Sequence, residues 1–200
     1  MAELNVTSSP PLSLLGKLNL DGAGRGNIVH PLGFLKHMLN TFAKHGLFDL
    51  DLTMEPSGDL SPEALIAQTG GVLGSLFRSA LKNRDNSPII PAGAGQSYFP
   101  MEETLTYARV RLDGQGRLEF LGEFTGVPLV MQTPGKKQTG GGEQLFPVRA
   151  APNFWRAFAL ESGCDLRLEI IRGRGDHHKC EALFKAAARA LRQACEGKPL

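Results

Sequence analysis

The chain repeats itself, and that repetition limits its fold more than any other feature. Strand, strand, helix, strand, helix is read once between residues 12 and 98 and again between 99 and 196. In the first half, Leu14, Leu18 and Leu20 alternate as a strand, and Ile28-Val29 returns after a glycine-rich turn. Phe34, Leu35, Met38, Leu39 and Phe42 recur at helical spacing, and Leu47 to Thr53 alternate again. Ser61-Pro62-Glu63 caps a second helix that runs to about Leu81. The second half offers strands at 104–112, 117–121 and 165–171, and helices at 152–161 and from the Asp176 region to Cys195. Asp49-Leu50-Asp51-Leu52 matches Asp165-Leu166-Arg167-Leu168, and aligning the last helices sets Leu73 on Leu183 and Ala80-Leu81 on Ala190-Leu191. Each half owns a one-sided sheet and striped helices. Two copies bury those surfaces with helices packed between two β-sheets, an α+β duplicated half-domain. Residues 1–11, ending in Pro10-Pro11, read as a disordered N-terminus, and 125–147 as a mobile surface loop.

One segment carries metal chemistry. Asp176-His177-His178-Lys179-Cys180-Glu181 opens the last helix in H-H-x-x-E spacing. On a helix, Glu181 lies one turn from both histidines. Imidazole nitrogens with a carboxylate suit manganese, iron or zinc, and a helix N-terminus favours neutral, coordinating imidazole. The motif is short, and two exposed histidines in a first turn would look the same.

Composition excludes other classes. A net charge of +2 and 21% charged residues argue against a dedicated nucleic-acid binder. Cys164, Cys180 and Cys195 show neither metal spacing nor an even disulfide set, as in a reducing compartment. No stretch reads as a secretory signal or a membrane span, so the expected location is cytoplasmic.

Several segments, in order, resemble imidazoleglycerol-phosphate dehydratases of histidine biosynthesis. They are Leu20-Asp21-Gly22, Gly33-Phe34-Leu35-Lys36-His37-Met38-Leu39, His45-Gly46-Leu47-Phe48-Asp49-Leu50 and Gly58-Asp59-Leu60. Pro100-Met101-Glu102-Glu103, Asp113-Gly114-Gln115-Gly116-Arg117 and Asp176-His177-His178 through Leu191-Arg192 complete the set. The resemblance implies a ribosomal protein S5 domain 2-like fold, large symmetric homo-oligomers with sites between subunits, and a small phosphorylated imidazole substrate. It also implies two manganese ions held by paired H-H-x-x-E motifs, which assist loss of water. Carried over by position, it makes His45, His177, His178 and Glu181 metal ligands, Glu181 catalytic, and Arg117 and Lys185 holders of the substrate phosphate. His37 falls near the site.

The same resemblance exposes departures. The first-half D-H-H-T-V-E motif falls on Ala67, Gln68 and Gly71, with only Thr69 in agreement. A further ligand histidine falls on Arg167, the early E-T pair on Pro11-Leu12, and a phosphate-region arginine on Pro91. The S-T-K-G tail has no counterpart before Leu200. Two expectations follow: a dehydratase working through one metal or a remodelled site, or a paralogue without turnover that serves as a structural or regulatory subunit or a small-ligand binder.

Overall fold

The computed structural model describes residues 2–6, 12–56, 60–84, 92–112, 114–129 and 145–197. The first repeat holds β1 (Ala2–Val6), β2 (Leu12–Asn19), β3 (Gly26–Val29), α1 (Gly33–Gly46), β4 (Asp49–Pro56) and α2 (Pro62–Arg84). The second holds β5 (Ala94–Met101), β6 (Thr104–Arg111), β7 (Leu118–Leu121), α3 (Ala151–Ser162), β8 (Asp165–Arg172) and α4 (Asp176–Cys195). The two sheets have the same order, β1-β2-β4-β3 and β5-β6-β8-β7, each with one parallel pair at the β3 or β7 edge. The expected duplication is therefore present, with one more strand per repeat than periodicity revealed. β1 lies inside the stretch read as disordered, and β5 opens the second repeat before Phe99. Both are edge strands, paired with β2 and β6. Residues 7–11 and 130–144, the latter most of the expected loop, lie outside the described residues.

The repeated Asp-Leu pair has a physical job in both copies. Asp49 Oδ1 accepts backbone N–H bonds from Ala23 and Arg25 at 2.9 and 3.0 Å. Asp165 Oδ1 accepts one from Arg117 at 3.2 Å. Leu50 and Leu166 N–H then donate to the carbonyls of Arg25 and Arg117, each at 2.8 Å. The aspartate thus fixes the turn that delivers the neighbouring parallel strand. The preceding helices also end alike: Leu47 after α1 and Gly163 after α3 both adopt left-handed backbone, with φ of 54° and 76°.

Helices fill the space between the sheets and pair across the repeats: α1 against α4, and α2 against α3. Phe42, Phe77, Trp155, Phe158 and Phe184 bring aromatic rings from all four helices into one fully buried cluster. Burying each ring contributes on the order of 2–3 kcal/mol, so this helical layer is the energetic centre of the molecule. The α2–α3 approach is the tighter one. A Cβ at Gly70 would stand 2.1 Å from the Phe154 carbonyl oxygen, and one at Gly74 would stand 2.5 Å from that of Phe158.

Candidate functional site

The α1–α4 seam carries the chemistry. Gly175 caps α4, so Asp176, His177 and His178 occupy its first turn, and His177, Glu181 and Lys185 follow one another at successive turns. α1 runs alongside and supplies His37. The Nε2 atoms of His37 and His177 converge on Glu181 Oε2 at 3.5 and 3.1 Å. Lys185 Nζ takes the other oxygen, Oε1, at 2.9 Å. Phe34 fixes the His177 ring by an edge contact, centroids 5.1 Å apart.

Glu181 is only 8% exposed, yet it is ionised. Its hydrogen bond with His37 is the largest influence; burial opposes it and Lys185 adds to it, and the net effect lowers the carboxyl to about 2. Two imidazole nitrogens and one carboxylate oxygen, all within 4.8 Å of one another, make a donor set that fits a first-row divalent ion.

His178 turns the other way. Its Nδ1 lies 3.5 Å from both Glu102 Oε2 and Glu103 Oε2, in the β5–β6 turn. Glu103 Oε1 also accepts the N–H groups of Arg174 and Gly175, each at 3.3 Å. Backbone donors, its own N–H first and then those of Gly175 and Arg174, lower Glu103 to about 2. Glu102 holds a left-handed φ of 51° in that turn.

Beneath the donor group lies a cationic one. Lys185 Nζ and the Arg189 guanidinium sit over the Phe99 ring at 5.2 and 4.7 Å. His45 meets the same ring edge-on at 5.3 Å. Burial first, then the charges of Lys185, Arg189 and Lys44, lowers His45 to about 4, so it is neutral at pH 7.

Asp176 anchors the helix start. It accepts hydrogen bonds from Thr125 N–H (2.9 Å), Thr125 Oγ1 (2.6 Å) and Gly126 N–H (2.9 Å). Burial pushes its pKa up, but these donors and Lys179 outweigh it, and the net shift is downward.

The expected site residues therefore divide. His177, Glu181 and Lys185 stand together, whereas His178 joins a second group with Glu102 and Glu103. His45 enters neither donor group and lies with Lys185 and Arg189 instead. Arg117 is not among the residues gathered at the α1–α4 seam: it leads into β7, its N–H on Asp165 and its guanidinium on Gln115 Oε1 at 3.0 Å. The resemblance set His37 near the site, and the structure adds it to the donor group; the Phe34-Leu35-Lys36-His37-Met38 segment was the available signal. Glu102, Glu103, Phe99 and Arg189 were missed as site neighbours, because nothing in their spacing links a hairpin turn to a helix start far along the chain.

The positions onto which the resemblance sets the first-half motif lie on α2. Gly71 faces Glu161 of α3, whose Cγ would be 3.6 Å from an added Cβ. Ser75 Oγ, at the Lys185 position of the repeat, donates to Glu161 Oε2 at 3.3 Å. Thr69 is buried, donating to the Leu65 carbonyl at 2.6 Å and meeting His30 Nε2 at 2.9 Å. Arg167 is paired with Glu119 and Glu169, at 3.2 and 3.1 Å.

Comparison with known proteins bears on the same residues. The sequence model for imidazoleglycerol-phosphate dehydratase matches residues 31–191. The chain is 36% identical over 190 residues to the imidazoleglycerol-phosphate dehydratase of Clostridium novyi, covering 94% of this chain and 86% of that protein. It is 35% identical over 182 residues to that of Lacticaseibacillus casei, covering 91% and 84%. The crystal structure of the Staphylococcus aureus dehydratase superposes with a TM-score of 0.72 at 25% identity, over 96% of each chain. A Pyrococcus furiosus structure has the same fold, with a TM-score of 0.69 at 21% identity over 94% of this chain and 90% of that one.

Proposed function

The chain belongs to the imidazoleglycerol-phosphate dehydratase family, and from that premise we propose that it acts in histidine biosynthesis as a carbon–oxygen lyase on a small phosphorylated imidazole, with one metal-binding group in each chain. The observation that supports this is the convergence of His37, His177 and Glu181, with Lys185 one turn further on. These three residues would hold the divalent ion, which the family makes manganese. When bound, it supplies Lewis-acid stabilisation of negative charge on the imidazole ring.

The chain's own groups have distinct parts. Glu181, held at about 2, is a ligand and counter-charge at neutral pH rather than a proton acceptor. Lys185 balances its charge and, with Arg189 and neutral His45, forms a positive floor for a phosphate. Asp176 holds the His-His turn in place. His178 with Glu102 and Glu103 is a second donor group, more exposed than the first. Arg117 can meet the Lys185 side of a substrate only across a subunit boundary, which fits the expected homo-oligomer. Outward residues such as Tyr98, 60% exposed, and Leu15, 48% exposed, offer apolar surface for such contacts. A cytoplasmic location is part of the same proposal.

The test is complementation of a histidine auxotroph together with metal analysis. One ion per chain, lost in Glu181→Gln, together with growth, is the expected result. Growth failure with soluble, folded, metal-loaded protein removes the lyase reading. That outcome favours the second reading, a family member without turnover serving as a structural or regulatory subunit. Ala67, Gln68 and Gly71 in place of the first-repeat motif, and Arg167 in place of a ligand histidine, support that reading.

A further inference from the structure

We infer that Arg149, which lies outside the His37–His177–Glu181 group, is a positioning residue for His177: it clamps the Thr125–Gly126 turn onto the start of α4. The inference rests on the reading that those three residues hold a divalent ion. After β7 the chain from Gly122 to Pro128 enters neither helix nor strand, so polar contacts must place it. The Glu123 carbonyl accepts from Lys179 Nζ at 3.2 Å. Thr125 N–H, Thr125 Oγ1 and Gly126 N–H all donate to Asp176. The Thr125 carbonyl accepts from Arg149 Nη2 at 2.7 Å.

The Thr125 carbonyl and the Gly126 N–H belong to one planar trans peptide group, so they point in opposite directions. A guanidinium therefore holds one end of that peptide and a buried carboxylate the other. Both bonds are charge-assisted, and each polarises the peptide in the sense that strengthens its counterpart. Gly126 is fitted to this arrangement. Its φ of 96° is left-handed, and a Cβ there would collide with the Arg149 guanidinium. Asp176 is the first residue of α4 and His177 the second, so whatever fixes Asp176 also fixes the backbone that aims His177.

A second route runs from the same place to the imidazole ring itself. Leu129 and Phe146 exchange both backbone hydrogen bonds at 2.9 Å. The buried Phe146 ring packs on Phe34 with centroids 4.9 Å apart, and Phe34 is the residue that meets His177 edge-on. Phe146 leads directly into Val148–Ala150, one turn of 3-10 helix whose Val148 and Ala150 are buried. Arg149 projects from that fixed turn and is exposed. Lys179 and Asp176 are buried, so replacing either disturbs α4 itself. Arg149 is the part of the clamp that can be removed without opening the core.

Two measurements on the full chain test this: Mn(II) titration, and the NMR signals of the His177 ring in the metal-free protein. Arg149→Met is expected to weaken Mn(II) binding about tenfold or more, as for loss of a group that orients a ligand from outside. It should also shift and broaden the His177 ring signals, with circular dichroism and melting close to wild type. Arg149→Lys keeps a donor for the Thr125 carbonyl and should recover part of the affinity. Arg156, an exposed arginine of α3 bonded to Asn153 at 3.1 Å, supplies the control, and Arg156→Met should change neither readout. Wild-type affinity or unmoved ring signals in Arg149→Met overturn the inference, as does an equal loss in Arg156→Met. An Arg149→Met chain without a cooperative melt makes Arg149 a residue of the fold and overturns its positioning role. A wild-type chain that takes up no Mn(II) defeats the reading of the donor group instead, and the ring signals of Arg149→Met then decide the inference alone.

Discussion

Single side chains set the pH limits of this molecule. His30 is buried, its Nδ1 accepting the Leu32 N–H at 3.0 Å, which leaves Nε2 to donate to Thr69. Burial lowers it from 6.5 to about 4. The unfolded chain therefore binds a proton in that interval that the folded chain does not. Stability is full above pH 6.5 and falls as pH drops toward 4. Glu181 acts at lower pH, its carboxyl lowered from 4.5 to about 2, so its contribution is present above pH 4.5 and is lost as pH falls toward 2. Thermal melts across pH should show both losses, and His30→Gln should flatten the upper one while leaving the lower in place. Lys185→Met should raise the Glu181 carboxyl, readable by NMR titration of the carboxyl carbon; an unmoved value would mean that His37 alone holds it.

Helices and strands show why some of the architecture could be read in the sequence and some could not. α1, α3 and α4 announce themselves through apolar spacing, and their stops at Leu47 and Gly163 follow a glycine or precede a strand. β1 and β5 do not announce themselves, because an edge strand is stabilised by backbone pairing with its neighbour, and alternation alone cannot record that. The donor group was half legible. H-H-x-x-E fixes which residues share one helix face, but the partner from α1 and the turn beneath His178 arrive through tertiary packing. The α2–α3 contact has no signal in the sequence: Gly70 and Gly74 look like helix breakers until the neighbouring carbonyls of Phe154 and Phe158 are seen. Gly70→Ala should therefore destabilise the protein by about 2 kcal/mol or more, since backbone cannot yield as a side chain does. The same change in an open helix would stabilise by roughly 0.5–1 kcal/mol. Urea denaturation distinguishes the two signs. At α4, Asp176→Ala should cost about 2–3 kcal/mol by stranding the donors of Thr125 and Gly126, with Asp176→Asn intermediate.

At the scale of the whole molecule, the helix pairs tie the repeats together. α1 rests on α4 and α2 on α3, so neither half owns a closed core. Expressed alone, each repeat should lack a cooperative melt, while the two expressed together should recover the circular dichroism and melting of the intact chain. An independently folded half would show that the interface is dispensable. The seam between α2 and α3 has one more consequence, which concerns ancestry and engineering. Gly70 is locked by a carbonyl, but Gly71 is not: a Cβ there meets only ordinary contacts at 3.6 and 3.9 Å. Gln68 is exposed and Ala67 partly so. These positions are thus not closed sterically, and the α2 backbone there has room for the side chains that the family motif implies. Ala67→His, Gln68→His and Gly71→Glu can be installed together, and a metal count per chain raised by one ion would show that the first repeat can be made to hold metal as well.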